Sequence, residues 1–360
     1  MLLQGIIPPL TTPFYPDGKV YHKKLEHNVE RYSRTPAAGM VVLGSTGESV
    51  MLSDEERHGV FKTAREAAAA NKVLIAGTGM ESAEETLRLT EYAAELGYDA
   101  ALIRTPHFYR RQMLPANLLA FYRFVADRSP LPVLIYNVPP FTAYDMPAEV
   151  VVELAEHSNI IGIKESSGDV EKVRRMVAAT RHVKRTAMVT ETFDAVTPRM
   201  LHADKNGQSA ELVPLTTLAG AASATATASR PSSSGVSATG GIRTRQKEVG
   251  FQVLVGAAQK LHASLEAGAI GGILAFADPA PTACYEVYAA WKEGDAELAR
   301  LKQERILVAA QRVGGELGIP ALKHALDLNG YYGGAARLPF LPLTSELKKE
   351  VESLMADIRS

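Results

Sequence analysis

The feature that most constrains this chain is a repeat of short apolar runs, each followed by a longer segment of helical period. Six runs stand in order at 6–10, 40–43, 73–76, 100–103, 133–136 and 160–163. Each is nearly continuous in apolar residues, the pattern of parallel strands buried on both faces. Helical segments fill the intervals. Ser53 and Ser82 stand three residues before Glu56 and Glu85, the spacing at which side chains and backbone satisfy each other's free groups at a helix start. Gly97 marks a helix end before Tyr98.

Two more strand candidates, 252–255 and 272–276, follow a long gap. Eight β-then-α units predict an α/β fold, a (β/α)8 TIM barrel rather than an open doubly wound sheet. From about 282 the chain reads as helices only, at 282–292, 295–313, 320–329 and 345–358. The predicted organisation is a barrel over 1–292 and a C-terminal helical extension over 293–360. A long insertion at 184–250 separates the sixth helix from the seventh strand. Within it, 218–241 is almost all Ala, Ser, Thr and Gly, with too little apolar bulk to offset its ordering entropy. The insertion is therefore expected to be a flexible excursion, with a translated intron and a functional lid as alternatives.

Composition narrows the classes of function. Apolar residues make up 46% and charged residues 22%, enough to bury a large core. The formal net charge of −1 gives no electrostatic reason to expect nucleic acid or an acidic membrane as partner. The single cysteine, Cys284, permits no intramolecular disulfide and reads as buried filler; a reducing, cytoplasmic setting is expected. Residues 1–5 lack the basic and apolar regions of a signal peptide, and no apolar run is long enough to predict a membrane span. The histidines show no ligand-like spacing, and neither metal nor cofactor is expected.

In a barrel of this kind the chemistry sits where strands end. After the second strand, Gly44-Ser45-Thr46-Gly47-Glu48 combines a tight turn, free N–H groups and two hydroxyls, which suits a carboxylate or phosphate; a plain β–α turn fits equally. The fifth strand ends in Tyr136-Asn137-Val138-Pro139, where a tyrosine relays protons or fills core. The sixth ends in Gly162-Ile163-Lys164-Glu165-Ser166. Burial at the barrel mouth disfavours an ammonium, and a neutral Lys164 amine can attack a ketone carbonyl; a surface ion pair with Glu165 is the alternative. Together the three ends describe imine chemistry on a 2-oxo acid.

With these three motifs, with Gly256 after the seventh strand and with 267–272, the sequence resembles the dihydrodipicolinate synthase and N-acetylneuraminate lyase family over nearly all of the chain outside the insertion. The resemblance implies a Schiff-base lysine at Lys164, a proton-relay tyrosine at Tyr136 and a hydroxyl passing protons to it at Ser45. It also implies a pyruvyl-carboxylate pocket at Ser45, Thr46 and Gly47, no metal, and a homotetramer. Two departures bear on the reaction. Pro140-Phe141-Thr142 stands where the synthase branch usually has an arginine, and Phe108 stands where a second tyrosine is usual, which leaves Tyr109 as its possible substitute. The stretches 251–256, 318–323 and 330–337 resemble the 4-hydroxy-2-oxoglutarate aldolase branch. Ser166 matches a site serine of that branch, while Thr46 stands where it tends to have Asn. The expectation is a class I lyase cleaving 4-hydroxy-2-oxoglutarate to pyruvate and glyoxylate, with Ser166 and Gly256 near the substrate. Dihydrodipicolinate synthesis, a 2-keto-3-deoxy sugar acid aldolase or dehydratase, and an inactive binding barrel remain the alternatives.

Overall fold

Eight strands run parallel in one sheet that curls back on itself. The computed structural model describes residues 1–192, 194–205 and 242–358. In chain order the barrel strands are β1 (Gly5–Ile6), β2 (Gly39–Val42), β3 (Val73–Gly77), β4 (Ala100–Arg104), β5 (Val133–Asn137) and β6 (Ile160–Glu165), followed, beyond two strands of the insertion, by β9 (Gln252–Val255) and β10 (Gly271–Gly272). Their order is β1-β10-β9-β6-β5-β4-β3-β2, and a parallel bridge between Pro9 and Val41 joins the ends into a (β/α)8 barrel. β1 and β10 are shorter than the apolar runs at 6–10 and 272–276 predict. The chain leaves β1 through Pro8-Pro9, which lack N–H donors, and leaves β10 through a tight turn at Ala275–Ala277.

Side chains of alternate strand positions face opposite sides. One set, including Val41, Ile75, Leu102, Leu134, Tyr136 and Leu254, fills the barrel interior; the other packs outward under the helices. The helix Asp54–Ala67 carries both halves of the predicted capping box at Ser53 and Glu56. Ser82 caps Ala83–Glu95 from one side, accepting the N–H of Glu85. The C-terminal helices run Pro281–Lys292, Ala296–Ala309, Ile319–Leu328 and Ser345–Met355, and the second widens into a π turn at Ala310–Glu316. No helix among the described residues is long and apolar enough to cross a membrane.

The insertion departs from the expected excursion wherever it is described. β7 (Arg185–Thr190) pairs antiparallel with β8 (Thr244–Val249) along six residue pairs, and Ala187, Val189 and Val249 pack on Leu2. The helix Pro198–Lys205 then places Arg199 in a buried ion pair with Asp99 at 3.1 Å, while the Thr197 hydroxyl donates to the Ala70 carbonyl at 2.6 Å. Asp99 precedes β4, and Ala70 lies just ahead of β3. These contacts therefore close the end of the barrel opposite the strand termini that carry Lys164, which does not fit a lid over that mouth. The tract 218–241 lies outside the described residues.

Candidate active site

Arg104, Tyr136, Lys164 and Leu254 are register partners across β4, β5, β6 and β9, so they form one level of the barrel. Arg104 lies two residues beyond the inward-facing Leu102, and Tyr136 two beyond Leu134, which turns both into the mouth. Lys164 is 4% exposed, and its Nζ stands 4.2 Å from the centre of the Tyr136 ring. No carboxylate among the described residues lies within ion-pair distance of it. Glu165, the partner expected for a surface lysine, faces away: it accepts from Asn137 Nδ2 at 2.9 and 3.0 Å and from the Ser167 N–H at 2.7 Å, and it pairs with the buried Lys172 at 3.2 Å. Burying a charge without a partner is costly, so the sequence is not using Lys164 as an ion-pairing residue.

The Tyr136 hydroxyl lies 3.3 Å from Ser45 Oγ. Ser45–Gly47 is a single 3-10 turn, entered through Leu43 (φ 60°) and left through Glu48 (φ 53°). Two non-glycine residues in the left-handed region cost about 1–3 kcal/mol each and persist only where the surroundings hold them. Leu43 is held because its carbonyl lies over Gly77, where a Cβ would come within 2.2 Å of that oxygen. Glu48 is held by the C-terminal extension. Its Oε1 meets Lys323 Nζ at 2.6 Å, both side chains being buried, and its Oε2 accepts the Arg337 N–H at 2.8 Å. Lys323 also donates to the carbonyls of Thr12 at 2.9 Å and Ala335 at 2.7 Å.

The turn differs from the expected cradle in one respect. The N–H of Gly47 donates to the Gly44 carbonyl at 3.0 Å, and its own carbonyl accepts from Thr12 Oγ1 at 2.7 Å. Gly47 therefore shapes the turn and has no donor left for a ligand. The N–H groups of Ser45 and Thr46 have no partner among the described residues. Ser166 and Gly256 are brought together: a Cβ at position 256 would fall 1.8 Å from Ser166 Oγ, which is shielded and has no partner among the described residues.

A cavity of about 320 Å³ opens over Ser45 and Tyr136, with Arg104, His107, Phe141 and Phe340 on its wall. Lys164, Thr46, Gly47, Ser166 and Gly256 are set back from that wall. Phe141, where the arginine is missing, is exposed. Tyr109 is exposed too, stacked edge-on against Phe108 at 5.1 Å, and makes no hydrogen bond to Tyr136. Within one chain it does not replace the missing second tyrosine.

Sequence reasoning missed Arg104 and His107. The signal was available for Arg104: a charged residue directly follows the apolar run 100–103, as Lys164 follows 160–163. Its guanidinium donates to the Gly79 carbonyl and to Glu81 Oε1 at 3.2 Å. Glu81 also pairs with His107 Nδ1 at 2.8 Å and accepts the N–H groups of His107 at 2.9 Å and Phe108 at 3.0 Å. Burial works against the Arg104 charge, and Glu81 offsets it.

Comparison with known proteins agrees with this geometry. Over 180 residues the chain is 39% identical to the 4-hydroxy-tetrahydrodipicolinate synthase of Methanosarcina barkeri, which covers 50% of this chain and 60% of that protein. It is 34% identical over 177 residues to the enzyme of the same name from Coxiella burnetii, covering 49% and 61%. The chain thus spans about three fifths of the length of these curated relatives. A pyruvate complex of the chloride-inhibited dihydrodipicolinate synthase from Acinetobacter baumannii superposes with a TM-score of 0.76 at 27% identity, covering 99% of each chain. Dihydrodipicolinate synthase DapA-2 of Bacillus anthracis shares the fold with a TM-score of 0.77 at 22% identity, covering 100% of each. The model of the dihydrodipicolinate synthetase family matches residues 2–213 and 234–358. With the lysine, tyrosine and serine converging at the mouth of such a barrel, the chain belongs to the dihydrodipicolinate synthetase family.

Proposed function

We propose that the protein is a Schiff-base lyase acting on pyruvate-type 2-oxo acids. One observation carries this reading: Lys164 is a buried amine without a carboxylate partner among the described residues, set beside a tyrosine whose hydroxyl is 3.3 Å from Ser45. The Lys164 amine adds to the 2-oxo carbon. Tyr136, exchanging protons with Ser45, protonates the departing hydroxyl so that water leaves and an imine forms. The N–H groups of Ser45 and Thr46 hold the C1 carboxylate. In cleavage the 4-hydroxyl gives its proton to Tyr136, C4 becomes an aldehyde, and the pair of the broken C3–C4 bond passes into the protonated imine to give an enamine. In the reverse direction the enamine supplies that pair and Tyr136 returns the proton.

Two overall reactions use this half. The names carried by the relatives favour condensation of pyruvate with aspartate semialdehyde to 4-hydroxy-tetrahydrodipicolinate. Phe141 in the arginine's place and Phe108 in the tyrosine's favour cleavage of 4-hydroxy-2-oxoglutarate to pyruvate and glyoxylate, with Ser166 and Gly256 beside the chain of the substrate. A cytoplasmic homotetramer belongs to the same proposal; the exposed Phe108, Tyr109 and Leu114 are apolar surface that self-association would cover. Purified protein assayed in parallel for semialdehyde-dependent pyruvate consumption and for glyoxylate release separates the two. Activity in neither assay, with no pyruvate adduct trapped by borohydride, refutes the Schiff-base reading.

A further inference from the structure

We infer that Arg104 is the residue that recognises a second, distal carboxylate on the substrate, replacing from β4 the arginine that is missing after β5. The inference rests on the Schiff-base reading above and specifies the substrate class: 2-oxo acids, or acceptor aldehydes, that carry a carboxylate at the end away from the imine.

Position is the first argument. Arg104, Tyr136 and Lys164 occupy one level of the barrel on three adjacent strands. Strands lie about 4.8 Å apart, so the backbones at Arg104 and Lys164 are roughly 10 Å apart with both side chains turned into the mouth. That interval suits a short carbon chain joined to Lys164 at one carbon and ending in an anion a few bonds away.

Charge is the second. The cavity wall is otherwise largely apolar, formed by residues such as Leu43, Leu102, Val138 and Phe340. Its acidic member, Glu48, is engaged by Lys323. The guanidinium has five N–H donors. Nη1 meets the Gly79 carbonyl and Nη2 meets Glu81 with one N–H each, which leaves the second N–H of both terminal nitrogens unassigned, while Nε is buried. Donors therefore remain for a bidentate carboxylate, the geometry for which arginine is suited and lysine is not.

Preorganisation is the third. Glu81 is fixed by two backbone N–H groups and His107, and it grips the guanidinium from one side while Gly79 holds it from another. A Cβ at Gly79 would fall 2.4 Å from the backbone nitrogen of Arg104 and 3.2 Å from its Cγ, so the chain after β3 lies against the start of this side chain only as glycine. The side chain is held in place before a ligand arrives.

The test compares two five-carbon 2-oxo acids, 2-oxoglutarate and 2-oxopentanoate, which differ in the distal carboxylate. Each is titrated as the trapped partner in borohydride inactivation, with pyruvate as the reference. The parent protein should half-saturate with 2-oxoglutarate at a concentration about 10- to 100-fold lower, as charge-assisted hydrogen bonds would give. Arg104→Met should abolish the difference, and Arg104→Lys should keep part of it. A merely bracing role would weaken trapping of both acids by the same factor in both variants, and that result would overturn the assignment. So would a parent protein that traps pyruvate yet shows no preference between the acids. If the parent traps no pyruvate, the Schiff-base reading itself fails and the assignment goes with it.

Discussion

Removing Lys323 should damage both the fold and the site. Lys323 and Glu48 form an ion pair at 2.6 Å with side chains 1% and 0% exposed, and the lysine also satisfies the carbonyls of Thr12 and Ala335. Lys323→Met leaves the Glu48 carboxylate buried with the Arg337 N–H as its remaining donor. Breaking one side of a buried pair costs about 3–5 kcal/mol. With an unfolding entropy of about 2.1 cal/mol/K per residue, a domain of this size unfolds with roughly 0.7 kcal/mol/K, so the melting temperature should fall by about 4–7 °C. Calorimetry gives the shift directly. Because Glu48 ends the turn that carries Ser45, the KM for pyruvate should rise as well. Adding Glu48→Gln removes the uncompensated charge while keeping an acceptor for Arg337, and should restore about half of the lost stability. A single variant that melts within about 1 °C of the parent, or a double variant in which the two losses simply add, would refute the reasoning.

Two further perturbations probe other parts of the account. Gly256→Ala places a Cβ 1.8 Å from Ser166 Oγ; the overpacking should cost about 1–3 kcal/mol, measurable by denaturant titration, and should displace Ser166. Asp278 is fully buried, bonded to the Tyr32 hydroxyl at 2.6 Å and the Thr11 N–H at 3.1 Å, and burial pushes its carboxyl up to about 7. The folded state therefore holds this proton more tightly than the unfolded chain. Its contribution is fully present below about pH 4 and lost as pH rises through about 7. The melting temperature of the parent relative to Asp278→Asn should therefore decline across that window; a difference that stays flat, or rises, contradicts the assignment.

Much of the barrel is legible in the sequence because each strand is buried on both faces and so reads as an unbroken apolar run. Lys164, Ser45 and Tyr136 are legible for a related reason: the first two are the first polar side chains after such runs, and Tyr136 closes one with a hydroxyl. Arg104 meets the same criterion but stands without a surrounding motif that would single it out. The pairing of β7 with β8 was hidden by a different cause. Thr244–Val249 is mostly exposed and charged, so it carries no apolar signal, and its partner lies more than fifty residues away. Lys323 reads locally as one lysine of an amphipathic helix. That it reaches the turn after β2 follows from how the extension docks, which periodicity does not encode. The missing donor at Gly47 likewise depends on the 3-10 geometry of the turn rather than on residue type.

The central claim is that Lys164 carries the imine, and peptide mapping after borohydride reduction in the presence of pyruvate tests it most directly. The account predicts a single reduced pyruvyl adduct on the peptide containing Lys164, absent from Lys164→Ala. An adduct on another lysine, or one that persists in Lys164→Ala, would contradict it.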